Sequence, residues 1–190
     1  MIQERVGFFT RSRDIVKGAL FRQLLWMYGT ERNDWWSDPI RMQYRASILS
    51  NMVQNMKILV NFVDRQGWKF VAPNEEHADV VRNLDVCALI NMEHVWNGSL
   101  AKAIRHLWKD PAVKQAFSHH QGDMQLTETA EFFFNEMKRV RERDYIPTCE
   151  DVMKCHIKTT GIVHRQIEYE GKSFHITDTG GQVSHSHGQP

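Results

Sequence analysis

From Asp38 to Gln66, apolar side chains recur at Ile40, Tyr44, Ile48, Met52, Met56, Leu59 and Val63, in steps of three and four. A helix completes a turn every ~3.6 residues, so this spacing gathers them on one helical face. The pattern predicts one helix over residues 38–66, with Gly67 as its stop. At 29 residues it exceeds the usual ~8–20 of globular helices, so it is expected to be the spine of a bundle.

The chain that follows reads as shorter helices. One is predicted over Glu75–Asn91, with Ala78, Val81, Leu84, Ala88 and Ile90 inside. Ser99 is a candidate cap for the next, whose inner side carries Leu100, Ala103, Ile104, Leu107 and Trp108. Asp110-Pro111 reads as an N-cap with proline in the first turn, opening a helix to Phe117. The polar stretch Ser118–Asp123 is a loop. Thr127 is then expected to cap a helix with Ala130, Phe133, Phe134, Met137 and Val140 on its core face. These elements predict a compact, mainly α bundle: one long helix with several short ones around it.

After Tyr145 the texture changes. Pro147 breaks the helical pattern, and Thr148-Cys149-Glu150-Asp151 fits a capping box over one short turn. Ile162–Tyr169 alternates as a strand does, Glu170-Gly171-Lys172 is a turn, and Ser173–Thr177 is a second strand, together a hairpin. Val183–Pro190 is polar and expected to be disordered.

Composition excludes several classes. With 24 basic and 23 acidic side chains there is no polyanion-binding excess, so nucleic acid is not an expected partner. Cys87, Cys149 and Cys155 form no CxxC pair, which predicts a reducing, cytoplasmic setting without disulfides. No apolar run approaches the ~20 residues of a membrane span. No signal peptide or lipidation motif is read, since Ile2 follows Met1.

Two short motifs carry the chemistry. The first is Asp151-Val152-Met153-Lys154-Cys155-His156-Ile157-Lys158-Thr159-Thr160-Gly161, and the second is Asp178-Thr179-Gly180-Gly181-Gln182, directly after the second strand. A nucleoside triphosphate with Mg²⁺ needs hard oxygen donors for the metal and backbone N–H groups for the phosphates. Thr159 offers a hydroxyl to Mg²⁺, and Asp178 can hold a metal-bound water. Gly181 leaves its N–H open to a phosphate, and Gln182 can orient an attacking water. A D-x-x-G-Q run alone is weak; a hairpin that follows K-T-T-G and ends in D-x-x-G-Q is far more specific.

Asp144-Tyr145-Ile146-Pro147-Thr148, Lys158-Thr159-Thr160-Gly161-Ile162-Val163 and Asp178–Gln182 resemble the α subunits of heterotrimeric G proteins. Ile104–Asp110, Gln125-Leu126 and Ser50–Met56 are similar to that family's helical domain. The resemblance covers roughly residues 20–182. It implies an all-helical insertion domain over 31–150, flanked by remnants of a Ras-like α/β GTPase domain. Residues 1–30 would hold its first strand, a degenerate phosphate loop and a helix; residues 151–182 would hold switch I, the hairpin and the start of switch II.

Carried over by position, the nucleotide-binding residues are Lys17, Glu128, Met153, Lys154, Cys155, His156, Ile157, Lys158, Thr159, Asp178, Thr179, Gly180, Gly181 and Gln182. The resemblance makes Gln182 and His156 the catalytic positions, and Thr159 and Asp178, the latter through water, the metal positions. The implied ligands are GTP or GDP with Mg²⁺. The implied partners are a G-protein βγ dimer, a G-protein-coupled receptor and regulators, at the inner face of the plasma membrane.

Three departures from the family pattern shape the expected function. Where a G-x-x-x-x-G-K-[ST] loop is expected stands Arg11–Gly18: Lys17 is kept, Arg11 and Val16 replace both glycines, and Gly18 replaces the hydroxyl. His156 stands where the family carries a cis-acting arginine, and imidazole lacks the bidentate guanidinium fork. The guanine-reading N-K-x-D motif is absent. The expected protein is therefore a truncated α-subunit-like signalling component with impaired GTP binding and hydrolysis. The other open reading is a non-catalytic helical module that binds signalling regulators without nucleotide.

Other features have plain readings. His119-His120, His185 and His187 are solvated, Trp35-Trp36 and Met52 and Met56 are packing residues, and the basic run Lys138–Arg143 suits a helix C-terminus without an anionic partner.

Overall fold

The computed structural model describes residues 4–5, 14–28, 37–85, 92–119, 126–157 and 162–179. They are mostly helical, with one small sheet. The chain divides into two compact units, residues 1–40 with 156–190, and residues 41–155.

In the first unit, β1 (Glu4–Arg5), β2 (Ile162–Tyr169) and β3 (Lys172–Thr179) form a sheet of order β1-β3-β2. β2 and β3 are antiparallel, and β1 joins β3 in parallel. Glu170 and Gly171 have φ of 50° and 73°, and this pair of positive angles makes the tight two-residue reversal that the predicted hairpin needs. β3 starts earlier and ends later than expected, at Lys172 and Thr179, because Tyr169 pairs directly with Lys172. Helix α1 (Asp14–Tyr28) covers the sheet: Leu25 is buried with Ile167 and Ile176, and Phe21, Leu24, Tyr28 and Phe174 pack around them.

The second unit is built on the long apolar face. Two helices stand where one was predicted, α2 (Asp38–Met42) and α3 (Arg45–Arg65). The break is one tightened turn, in which the Tyr44 N–H bonds the Arg41 carbonyl at 3.0 Å. Long-range contacts hold it there: Arg41 donates to the Pro147 carbonyl, and Arg45 donates to the Arg143 carbonyl at 2.9 Å. Ile48, Met52, Met56, Leu59 and Val63 are fully buried, as the periodicity predicts. Gly67, at φ 69°, ends α3 in a Schellman arrangement, with Trp68 N–H to Val63 O at 3.1 Å and Gly67 N–H to Asp64 O at 3.0 Å.

Around α3 pack α4 (Asn74–Arg82), α5 (Met92–Val95), α6 (Gly98–Leu107), α7 (Pro111–Ser118) and α8 (Ala130–Asn135). α4 is shorter than predicted. Its ladder closes at Asn83, a weak helix former, and the Leu84 carbonyl beyond it accepts from Lys57 of α3. Ala88 and Ile90 lie outside the described residues. The cap of α6 is Asn97 rather than Ser99: its Oδ1 accepts from Leu100 N–H at 2.9 Å, while Ser99 is exposed inside the first turn. Asn97→Ala is therefore expected to cost about 1 kcal/mol. Ser99→Ala should stay within about 0.5 kcal/mol. Urea denaturation of the two variants distinguishes the caps.

Asp110 and Pro111 open α7 as expected, and Asp110 does more than cap. Buried at 1% exposure, it accepts from Ala112 N–H at 2.9 Å and also from Val71 N–H at 2.9 Å and Asn74 Nδ2 at 2.8 Å. Thr127 does not cap α8. Its hydroxyl and N–H are taken by the buried Asn55 side chain at 2.8 and 3.1 Å, and the helix starts at Ala130. The predicted 130–140 helix is split at Glu136 into α8 and α9 (Met137–Val140), yet all five predicted core residues are buried. Met52 and Met56 are core residues. His119 is exposed, edge-on to Trp68 at 5.6 Å. Trp35, Trp36, His120, His185, His187 and the tail over 183–190 lie outside the described residues.

Candidate functional site

The motif around residue 156 begins on a firmly held element. Thr148 caps α10 (Cys149–Lys154): its hydroxyl accepts from Asp151 N–H at 3.1 Å, and the Asp151 carboxylate accepts from Thr148 N–H at 2.8 Å, the predicted capping box. The same carboxylate, with no solvent exposure, receives both outer nitrogens of Arg139 at 2.6 and 2.8 Å and the Tyr145 hydroxyl at 2.9 Å. Burial opposes its ionisation, but Arg139, Thr148 and Tyr145 outweigh that and hold its pKa below the usual carboxylate value. Burial, and then the Asp151 charge, drive the Tyr145 phenol well above its ordinary range. Arg139 is thus an ion-pair residue, not a free helix-end cation as its position in a basic run suggested.

The exit of α10 is also secured. Thr129 donates its hydroxyl to the Lys154 carbonyl at 2.9 Å, and Asn51 Nδ2 lies 3.9 Å from the buried Cys155 sulfur. The Lys154 ammonium sits 3.7 Å from Glu150 and 4.7 Å above the Phe132 ring. Met153 is half-buried, as are His156 and Ile157 in the extended chain beyond. Met153–Ile157 are therefore consecutive residues at the end of α10, whereas Glu128 is exposed in the turn before α8.

Hairpin register sets the first residues of β2 beside the last of β3. Ile162 pairs with Thr179 and Val163 with Asp178, opposite the Glu170-Gly171 turn. Lys158, Thr159, Gly180, Gly181 and Gln182 lie outside the described residues, as do the side chains of Lys17, Asp178 and Thr179. Among the described residues no group of three or more His, Cys, Asp or Glu side chains could hold a metal, and no helix is long and apolar enough to cross a membrane.

Sequence reasoning found the capping box but missed Arg139 and Tyr145 as its partners. The available signal was an aspartate at the third helical position, whose charge a short capping box does not consume.

A family profile described as G-protein alpha subunit matches residues 15–187. The guanine nucleotide-binding protein alpha-6 subunit of Dictyostelium discoideum is 26% identical over 168 residues, covering 88% of this chain and 46% of that protein. The guanine nucleotide-binding protein alpha-4 subunit of Caenorhabditis briggsae is 30% identical over 152 residues, covering 76% and 40%. The chain belongs to the G-protein α subunit family. It spans less than half the length of these two relatives.

One described element bears on phosphate binding. A phosphate cradle ahead of a helix relies on glycines that expose backbone N–H groups, with the positive end of the helix dipole behind them. Here α1 opens on Asp14, and in the sequence no glycine lies between Gly7 and Gly18. Lys17 is the fourth residue of α1, in its first turn.

Proposed function

We propose that this chain is an α-subunit-type component of G-protein-coupled receptor signalling in which guanine-nucleotide binding and hydrolysis are impaired and protein contacts of the helical unit carry the role. The observation that supports this reading is the sequence at the start of α1, where Arg11 and Val16 stand at the two glycine positions and the helix already runs from Asp14. In the same reading, residues 31–150 are the family's all-helical insertion domain. Residues 1–30 and 151–182 derive from its Ras-like GTPase domain, the latter carrying switch I, the hairpin and the start of switch II. Thr159 and Asp178 keep the residue types of the family's Mg²⁺ positions, and Gly181 and Gln182 those of its phosphate and water positions. His156 replaces the arginine and has no guanidinium fork. A βγ dimer, a receptor and their regulators at the cytoplasmic face of the membrane are the partners this reading names.

Titration of the purified chain with fluorescent GDP and GTP analogues in Mg²⁺ tests it. The expected result is no saturable binding up to about 100 µM, an affinity weaker than about −5.5 kcal/mol. Saturable binding at micromolar concentration or below would instead make the chain an active nucleotide switch.

A further inference from the structure

Several surface cations of the helical unit are neutralised by neighbours. Arg82 lies 2.6–2.8 Å from Asp64, Glu75 and Asp79. Arg139, Arg141 and Lys154 each have a carboxylate within 4 Å. α6 is different. At about 100° per residue, Lys102, Arg105 and His106 fall within an arc of roughly 100°, opposite the buried Leu100, Ala103, Ile104 and Leu107, and Lys109 follows in the turn just past the helix end. Lys102 and Lys109 are exposed, and Arg105 and His106 half-buried. Among the described residues, Lys102, Arg105 and Lys109 have no ion-pair partner.

α4 extends this face with His77, whose ring centroid lies 4.8 Å from that of His106. Of the carboxylates of α4, Glu75 and Asp79 are held by Arg82, and Glu76, exposed beside His77, is the one that remains to offset the charge. The field is evident at His106: burial, then His77 and the three cations, all push its pKa down.

We propose that the exposed face of α6, centred on Lys102 and Arg105 with Lys109 just past its end and His77 beside it, docks an acidic segment of a partner protein. This rests on the reading that protein contacts of the helical unit carry the function. Lys102 and Arg105 are about one turn apart, about 5 Å along the axis, the spacing of carboxylates three or four residues apart on one face of an acidic helix. A bilayer fits less well. The apolar residues of α6 are turned into the bundle, leaving none to insert, and a few charges alone fall short of stable anchoring.

The test uses the full chain and a fluorescein-labelled acidic peptide with glutamates at i, i+3, i+4 and i+7, followed by anisotropy. Saturable binding is expected, falling at least about tenfold as salt rises from 0.05 to 0.5 M and screens the charges. The variant K102E/R105E/K109E is expected to lose about tenfold or more, with its melting temperature within about 2 °C of wild type because these side chains are surface groups. Backbone NMR shifts should cluster in α6 and α4.

Equal peptide affinity in the charge-reversed variant overturns the proposal. So does charge-dependent binding to vesicles of about 30% phosphatidylserine without peptide binding, which makes the face a membrane contact. GDP-analogue titration of the same preparation separates the two readings. Tight nucleotide binding with peptide docking intact removes the impaired-switch reading and leaves the docking face. Absent nucleotide binding with no peptide docking does the reverse.

Discussion

Asp151→Ala is expected to destabilise the helical unit by about 3 kcal/mol. The carboxylate is completely buried and satisfies Arg139, the Tyr145 hydroxyl and the Thr148 N–H at 2.6–2.9 Å. Alanine leaves the Tyr145 hydroxyl and the Thr148 N–H without this acceptor, leaves Arg139 only its contact with Glu136, and removes half of the capping box. The Arg139 side chain is 35% exposed and can turn to water, which keeps the loss at the low end for a broken buried pair. Asp151→Asn keeps an acceptor for Tyr145 and Thr148 and should cost about half as much.

The pH dependence has a definite sign. The folded pKa of Asp151 lies below its unfolded value of about 3.9, so its contribution is complete above that value. It is lost as pH falls through the folded pKa. Denaturation of wild type and Asp151→Ala should show the full gap at pH 7 and a shrinking gap below about pH 4. A gap that stays constant down to pH 2 would place the effect in local helix propensity instead.

Leu59→Ala is expected to remove about 3 kcal/mol, from a range of roughly 2–5 for buried leucines. Leu59 has no exposed surface and sits among Met56, Val60 and Val63 on the helix around which α4 to α8 pack. Little room exists for collapse, because its neighbours belong to several helices that cannot all move inward. Against a typical total of about 5–15 kcal/mol, the loss should lower the melting temperature by roughly 10 °C. The exposed Asn61→Ala, on the same helix, should change stability by less than about 0.5 kcal/mol. Calorimetry of the pair checks both, and equal melting temperatures would remove α3 as the spine.

Local spacing made much of this molecule readable from its residues. The three-and-four step picked out the buried face of α3, and the core positions of α6 and α8–α9 followed in the same way. Gly67, Asp110-Pro111, Thr148–Asp151 and Glu170-Gly171 each mark an end or turn that depends only on residues within one turn of chain. The motifs at 151–161 and 178–182, with the helical-domain residues, are enough to place the chain beside G-protein α subunits.

What escaped depends on groups far apart in sequence. Thr127 and Ser99 are sound caps by residue type, but Asn55 claims the first, and Asn97, with extended φ and ψ of −133° and 171°, takes the role of the second. The long helix breaks at Tyr44 because Arg41 and Arg45 reach carbonyls about 100 residues away. Arg139 looked like a cation at a helix end and is instead half of a buried ion pair. The sequence by itself determined which residues are apolar, where helices can begin and end, and the family. Only the tertiary structure decided which polar side chain meets which, because those pairings form after packing has chosen among several partners of nearly equal local merit.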